Sequence, residues 1–153
     1  MTNVTYAALE TVDPALFLPL LNSQKTRKHL MAHHQFDVSS ATDWINSKIE
    51  VDATPGCRVR AILREKDLAG WCGIQHEMGQ YELALVLDEK YWGLGKSVFV
   101  DLMAWANELG HEAVFIHFLH TRPAYKFLQK RAIQVFTSEM YNTQFTTYQL
   151  RVR

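Results

Sequence analysis

The stretch Glu82-Leu-Ala-Leu-Val-Leu-Asp-Glu-Lys-Tyr-Trp-Gly-Leu-Gly95, preceded by Tyr81 and followed by Lys96-Ser97, decides how this chain is read. Tyr81 to Leu87 is apolar on both faces except at Glu82, as a central strand covered on both sides would be. Val98, Leu102, Trp105, Ala106 and Leu109 then recur at helical spacing until Gly110 ends the helix. Gly93 to Ser97 therefore reads as a tight loop between a buried strand and an amphipathic helix. Such a loop suits phosphate, because glycine admits a close backbone approach while free N–H groups and the helix dipole face the anion.

Working outward, Ala113 to Leu119 is a second buried strand and Pro123 to Lys130 a short helix. Ile133 to Met140 and Phe145 to Val152 form a closing hairpin across Tyr141-Asn-Thr-Gln144. On the other side, Arg58 to Arg64 and Leu68 to Ile74 read as a hairpin across the charged turn Glu65-Lys-Asp67, entered from the turn Asp52-Ala-Thr-Pro-Gly56. Asp13-Pro14 fits an N-cap with proline at the first helical position, opening a helix through Leu21. Ser39 or Ser40 caps a second helix carrying Trp44, Ile45 and Ile49, and the polar stretch Lys25 to His34 between the two fits helix or loop. The expected order is αα, βββ, αβ, α, ββ.

The 153 residues suit one domain, 1–153, since two would each be too thin to bury a good core. Apolar residues at 48% and charged residues at 21% exclude a disordered or disulfide-stapled chain. Sixteen Lys and Arg balance sixteen Asp and Glu, which argues against nucleic acid or an anionic membrane as partner. No apolar run approaches the roughly 20 residues of a membrane helix, and MTNVTYAALE does not read as a secretory leader, so a cytoplasmic protein is expected. Cys57 and Cys72, without CxxC spacing, read as free thiols.

Two other glycine motifs fail on spacing. Gly93-Leu-Gly95-Lys-Ser-Val98 ends in Val where GxGxxG needs Gly, and no βαβ unit opens the chain. Gly95-Lys96-Ser97 imitates the end of a P-loop, but its first glycine would fall at Lys90. His29 and His33 share a helical face, yet HLMAHH lacks the Glu of HExxH and no third ligand is apparent, so no metal is expected.

Glu82 to Gly95 followed by an amphipathic helix resembles the acetyl-CoA motif of the GNAT N-acetyltransferases, in particular the branch of ribosomal-protein N-terminal acetyltransferases. Against the family's Gln/Arg-x-x-Gly-x-Gly/Ala, Trp92 takes the first position, Gly95 the central one and Ser97 the last. A second stretch, Thr121-Arg-Pro-Ala-Tyr-Lys-Phe-Leu-Gln-Lys-Arg-Ala-Ile133, resembles N-x-x-S/A-x-x-v-L-E-K-x-G-F, agreeing at Ala124, Phe127, Leu128 and Lys130 and departing at Thr121, Ala132 and Ile133. The resemblance implies an α/β (α+β) fold: a mixed, mostly antiparallel sheet with helices on both faces, in which the two buried strands splay into a wedge for acetyl-CoA. It also implies that main-chain groups at Leu85 and Leu87 hold the pantetheine and the thioester oxygen. The N–H groups of Trp92, Gly93, Leu94, Gly95, Lys96 and Ser97 would grip the pyrophosphate, and Thr121 would stand where the family's Asn contacts the pantetheine arm. Lys96 serves the phosphates or is simply solvated.

The implied activity moves acetyl to a primary amine, either a protein N-terminus or a small amine, by direct attack on the thioester. An α-amine with a pKa of about 7.7 to 8.0 is mostly protonated near neutrality, so a base must take its proton. Glu82 is the candidate, or else it orients the amine or pairs with a neighbouring Arg. The family's acid, a Tyr in the closing helix, is replaced by Leu128, which leaves Tyr125 and His117 as candidate proton carriers beside ordinary packing roles. A non-catalytic acyl-CoA-binding domain of the same fold is the alternative, and the chain acts as a monomer or homodimer. Lys25 to His34, Phe36, Trp44, Tyr141 and Phe145 are candidates to wall the acceptor site.

Overall fold

The computed structural model describes residues 4–22, 35–119, 126–140 and 142–153. The elements are β1 (Val4–Ala7), α1 (Pro14–Asn22), α2 (Val38–Asp52), β2 (Arg58–Arg64), β3 (Asp67–Glu77), β4 (Gln80–Leu87), α3 (Gly95–Glu108), β5 (Ala113–Leu119), α4 (Lys126–Gln129), β6 (Ala132–Met140) and β7 (Thr143–Arg151). Short 3-10 turns at Leu9–Thr11 and Glu89–Leu94 precede α1 and α3. All seven strands join one sheet in the order β1-β2-β3-β4-β5-β7-β6. Every neighbour pair is antiparallel except β4 with β5, so the sheet is mixed and mostly antiparallel as expected.

Strand alternation sorts the side chains into two layers. Leu83 and Leu87 of β4, Val114 and Ile116 of β5, and Tyr148 and Leu150 of β7 form one core with Val98, Leu102 and Ala106 of α3. Val59, Ala61, Trp71 and Val86 form the other with Phe17, Leu20 and Leu21 of α1 and Ala41 and Ile45 of α2. Helices thus cover both faces, which is why β3 is buried continuously from Ala69 to Gln75.

Several boundaries differ from those read in the sequence. Strand β1 pairs with β2 from Val4↔Arg64 to Ala7↔Ala61 and was not anticipated, since four residues carry too little periodicity. Helix α2 is capped by Asp37, not by Ser39 or Ser40: Asp37 accepts from Ser40 N–H at 2.8 Å and its own N–H donates to Ser40 Oγ at 2.9 Å. Ser40 is the reciprocal partner in the first turn. Asp67 pairs with Arg64, so the turn shortens to Glu65-Lys66 with Glu65 at φ 58. In the closing hairpin Met140 pairs with Thr143, so β7 already starts at Thr143, and Asn142 has φ 59; Tyr141 lies outside the described residues, as do Lys25 to His34 and residues 123–125 of the anticipated closing helix.

The segment Gly93 to Ser97 is not a loop. Gly93 sits in the 3-10 turn, and Gly95, at φ −55 and ψ −44, opens α3 directly. Asp88 caps the 3-10 turn by accepting from Lys90 N–H. The glycines suggested punctuation, but both take backbone angles available to any residue, so sequence composition alone misreads the segment.

Glycine matters more at Gly70. Between β2 and β3 the register slips, from Ile62↔Gly70 to Leu63↔Leu68, leaving Ala69 as an extra residue in a bulge. The layer alternation breaks there too, with Ala69 and Cys72 in one core and Leu68 and Trp71 in the other. A Cβ at Gly70 would fall 2.0 Å from the Val86 carbonyl oxygen. Gly70→Ala is therefore expected to cost about 1–3 kcal/mol, the usual scale of overpacking, read as a lower urea midpoint with little change in slope.

Candidate active site

Strands β3 and β4 meet in a two-residue turn, Met78-Gly79, with φ values of 53 and 78, the geometry of a type I′ hairpin. In such a hairpin the ladder bonds alternate residue by residue. At the far end Asp88 N–H donates to Ala69 O at 2.8 Å, which sets the parity. Glu82, Ala84 and Val86 bond to β3, while Leu83, Leu85 and Leu87 turn their main-chain groups away from it, toward β5. Yet β4 and β5 share a single rung, Glu82↔Phe115. Beyond it, among the described residues, no strand pairs with the β4 edge, and the amide and carbonyl of Leu85 and the amide of Leu87 face a gap. The Leu87 carbonyl is closed off by the Trp92 indole N–H, which donates to it at 2.9 Å.

A cavity of about 470 Å³ fills this gap. Glu82 through Leu87 all border it without a break, which a pocket on one face of a sheet could not achieve, since successive side chains point to opposite faces. The cavity therefore passes between the strands from one layer to the other. On the α3 side it is bordered by Trp92, Gly95, Lys96, Phe99, Phe127 and Leu128. A Cβ at Gly93 would meet nothing within 4 Å, and one at Gly95 only Leu87 Cδ1 at 3.8 Å. Lys96 Nζ lies 5.9 Å from the Phe127 ring centroid. Leu94 is buried in the core, and neither it nor Gly93 nor Ser97 borders the cavity.

The other mouth carries the polar groups. Glu82 and His117 lie on the α1–α2 face with side chains only 15% and 11% exposed, and His117 Nε2 stands 3.0 Å from Glu82 Oε2. That approach is off the hydrogen-bonding axis, and Nε2 makes no hydrogen bond among the described residues. His117 Nδ1 is held 2.7 Å from Thr147 Oγ1, which in turn lies 2.5 Å from Ser138 Oγ. Glu82 thus has His117 as its neighbour rather than an Arg. Trp71 and Gln75 complete this mouth, and Phe145 packs beside His117 with ring centroids 6.5 Å apart. Trp44 packs on Phe17 and Trp71.

Of the residues singled out in the sequence, the structure brings Glu82, Leu85, Leu87, Trp92, Gly95, Lys96 and His117 to one cavity. Tyr125, Thr121, His29 and His33 lie outside the described residues. Sequence reasoning missed Lys48, whose Nζ donates to Gln75 Oε1 at 2.5 Å. The available signals were a lysine four residues after Trp44 on one helical face and a glutamine continuing a buried strand. Cys57 and Cys72 are free and buried, and burial pushes both thiols up in pKa, away from nucleophilic use. No cluster of three or more metal-ligating side chains occurs among the described residues.

No family model and no curated protein matches the sequence. Solved structures do match the fold. RimL, the ribosomal L7/L12 α-N-protein acetyltransferase in its apo form, superposes with a TM-score of 0.75 at 16% identity, over 99% of this chain and 91% of that one. Spermidine N-acetyltransferase from Vibrio cholerae, in complex with CoA and spermine, gives 0.75 at 13% identity over 97% and 95%. The Salmonella typhimurium acetyltransferase that modifies the N-terminal serine of L7/L12 gives 0.73 at 14% identity over 98% and 94%. The fold is the GNAT acetyltransferase fold. Within it, the cavity of this chain is the gap between its two parallel strands, and the resemblance first seen at Glu82 to Gly95 falls on the segment that forms one wall of that gap.

Thr147 is fully buried and supports both His117 and Ser138. Thr147→Val keeps the shape but removes the shared hydroxyl, so a loss of about 1–3 kcal/mol is expected from the groups left unpaired, measured by chemical denaturation. Unchanged stability would show that water replaces the hydroxyl.

Proposed function

We propose that this chain is an acetyl-CoA-dependent N-acetyltransferase acting on a primary amine. The observation that carries the reading is the cavity running through the sheet, with a glycine-opened helix start and Lys96 at one mouth and the Glu82–His117 pair at the other. The cavity fits a long ligand threaded from one face to the other. The unpaired edge of β4 offers Leu85 N–H and C=O and Leu87 N–H to an extended amide-bearing arm, in the manner of strand addition. Open space above Gly93 and Gly95 admits a diphosphate at the start of α3, where the helix dipole and the Lys96 ammonium favour negative charge.

When bound, acetyl-CoA supplies an activated acetyl group on sulfur. The chain's own residues do the rest. Glu82, shielded at the acceptor mouth, accepts the proton that the incoming ammonium must lose, directly or through one water. His117, anchored through Nδ1 by Thr147, presents Nε2 beside Glu82, where it shares in moving that proton. The Leu87 amide donates to the oxygen of the reacting carbonyl as charge grows there. Trp92, tied to the Leu87 carbonyl, keeps that edge from collapsing. The described cavity lining contains no Tyr or Cys to protonate the departing thiolate, and this favours a second reading, an acyl-CoA-binding domain without turnover. Tyr125 is the candidate acid under the first reading.

Acetyl-CoA should raise Tm by binding linkage, and thiol release with an amine panel separates enzyme from binder. Glu82→Gln is expected to lower kcat by about a hundredfold or more while leaving the ligand-induced Tm rise largely intact. A kcat equal to wild type would remove Glu82 from proton transfer. Gly95→Val fills the open space at the start of α3, so it should fold but lose most of the Tm rise with acetyl-CoA. An undiminished rise would place the diphosphate elsewhere.

A further inference from the structure

Lys48 is a cation that stands one side chain behind the cavity wall, joined to it through Gln75, with no ion-pair partner among the described residues. It projects from α2 with Nζ 4.9 Å from the Trp71 ring centroid and 5.9 Å from that of Trp44. Among the described residues its polar contact is the neutral carbonyl oxygen of Gln75, at 2.5 Å. The sixteen acidic side chains of the sequence all lie within the described residues, and none comes within 4 Å of Lys48 to form an ion pair. Burial pushes the Lys48 pKa down, opposed by the more distant charges of Glu77 and Glu82. A cation desolvated with its nearest carboxylates beyond ion-pair reach is costly to keep, and a ligand carrying a negative group would reduce that cost.

The placement sets the ligand's dimensions. Gln75 stands directly opposite Glu82 in the β3–β4 ladder, so their side chains are neighbours on one face. Both residues border the cavity, with His117 across the gap. The mouth therefore presents a carboxylate for an amine and, beside it, the Gln75 amide, behind which the Lys48 ammonium stands over the indole of Trp71. A polyamine, positive along its length, would set its second charge against Lys48.

Resting on the acetyltransferase reading, we propose that the acceptor is a small amine bearing a carboxylate close to its nitrogen, as in an α-amino acid, with Lys48 as the residue that selects the carboxylate. The amine faces Glu82 and His117 and the carboxylate faces Lys48. Transfer forms the N–acetyl bond and breaks the thioester C–S bond: the ammonium gives one proton to Glu82 before attack, Glu82 later returns it to solvent, and the second proton, lost from nitrogen after attack, goes to the departing thiolate, which leaves as the CoA thiol.

The test compares each of a set of L-amino acids with its own carboxamide, by kcat/KM for CoA release and by mass of the product. The carboxamide's amine is less basic and more often neutral, so intrinsic reactivity favours it, and any preference for the acid must come from the site. The wild type is expected to favour the acid at least tenfold. In Lys48→Met that ratio should fall toward one, and in Lys48→Arg it should largely return. Equal or better use of carboxamides by the wild type, or an undiminished ratio in Lys48→Met, overturns the proposal while leaving the acetyltransferase reading intact. Should Lys48→Met fail to fold, the wild-type ratio and Lys48→Arg decide. Absence of both turnover and an acetyl-CoA-induced Tm rise overturns the underlying reading as well.

Discussion

Everything at the site depends on how little β4 and β5 pair. One rung, Glu82↔Phe115, joins them, and past it, among the described residues, the backbone hydrogen-bonding groups of Leu85 and Leu87 have no strand opposite. Unmade backbone bonds beside an apolar core are costly, so such an edge persists only where something satisfies it. Trp92 satisfies the Leu87 carbonyl from the side. The bulge at Ala69 and the close approach of Gly70 to Val86 shape β3 at the same level as the opening. The gap is thus built by two neighbours of β4, one on each side, and its remaining groups are available to a ligand.

Because the opening goes through the sheet, its two mouths carry different groups. The α3 face has few charges at the cavity, and its Lys96 and glycines suit a bulky anion. On the α1–α2 face Glu82, His117 and Gln75 border the cavity, and Lys48 backs Gln75 against the indoles of Trp44 and Trp71. The chain is neutral overall, with sixteen charges of each sign, so local placement decides recognition here. His117 is fixed from behind by Thr147 and Ser138, which leaves its other nitrogen directed to the mouth. Under the proposed function, fixed orientation of this kind would spare the pair a rearrangement when an amine binds.

Much of the architecture was legible because periodicity survives in long elements. The strands at Arg58 to Arg64, Tyr81 to Leu87 and Ala113 to Leu119 and the helix from Val98 onward each bury enough residues to show their period. Short pieces did not: β1 has four residues, and its place beside β2 is dictated by the sheet rather than by its own pattern. The glycines at 93 and 95 drew the reading toward a loop, whereas the backbone there coils into a 3-10 turn and then a helix. The motif nonetheless falls on one wall of the cavity, where Gly95 borders it and no neighbouring atom crowds either glycine.

The linear chain determined which segments are strands and helices, that Glu82 interrupts an apolar strand, and that glycines precede the α3 helix. These follow from alternation, burial and side-chain size, all of which act between near neighbours. Only the tertiary structure decided that β4 and β5 part after one rung, that His117 stands beside Glu82, and that Lys48 reaches Gln75 from a helix 27 residues away. Those are contacts across the sheet and between layers, and local periodicity carries no information about which distant side chain will occupy the space opposite.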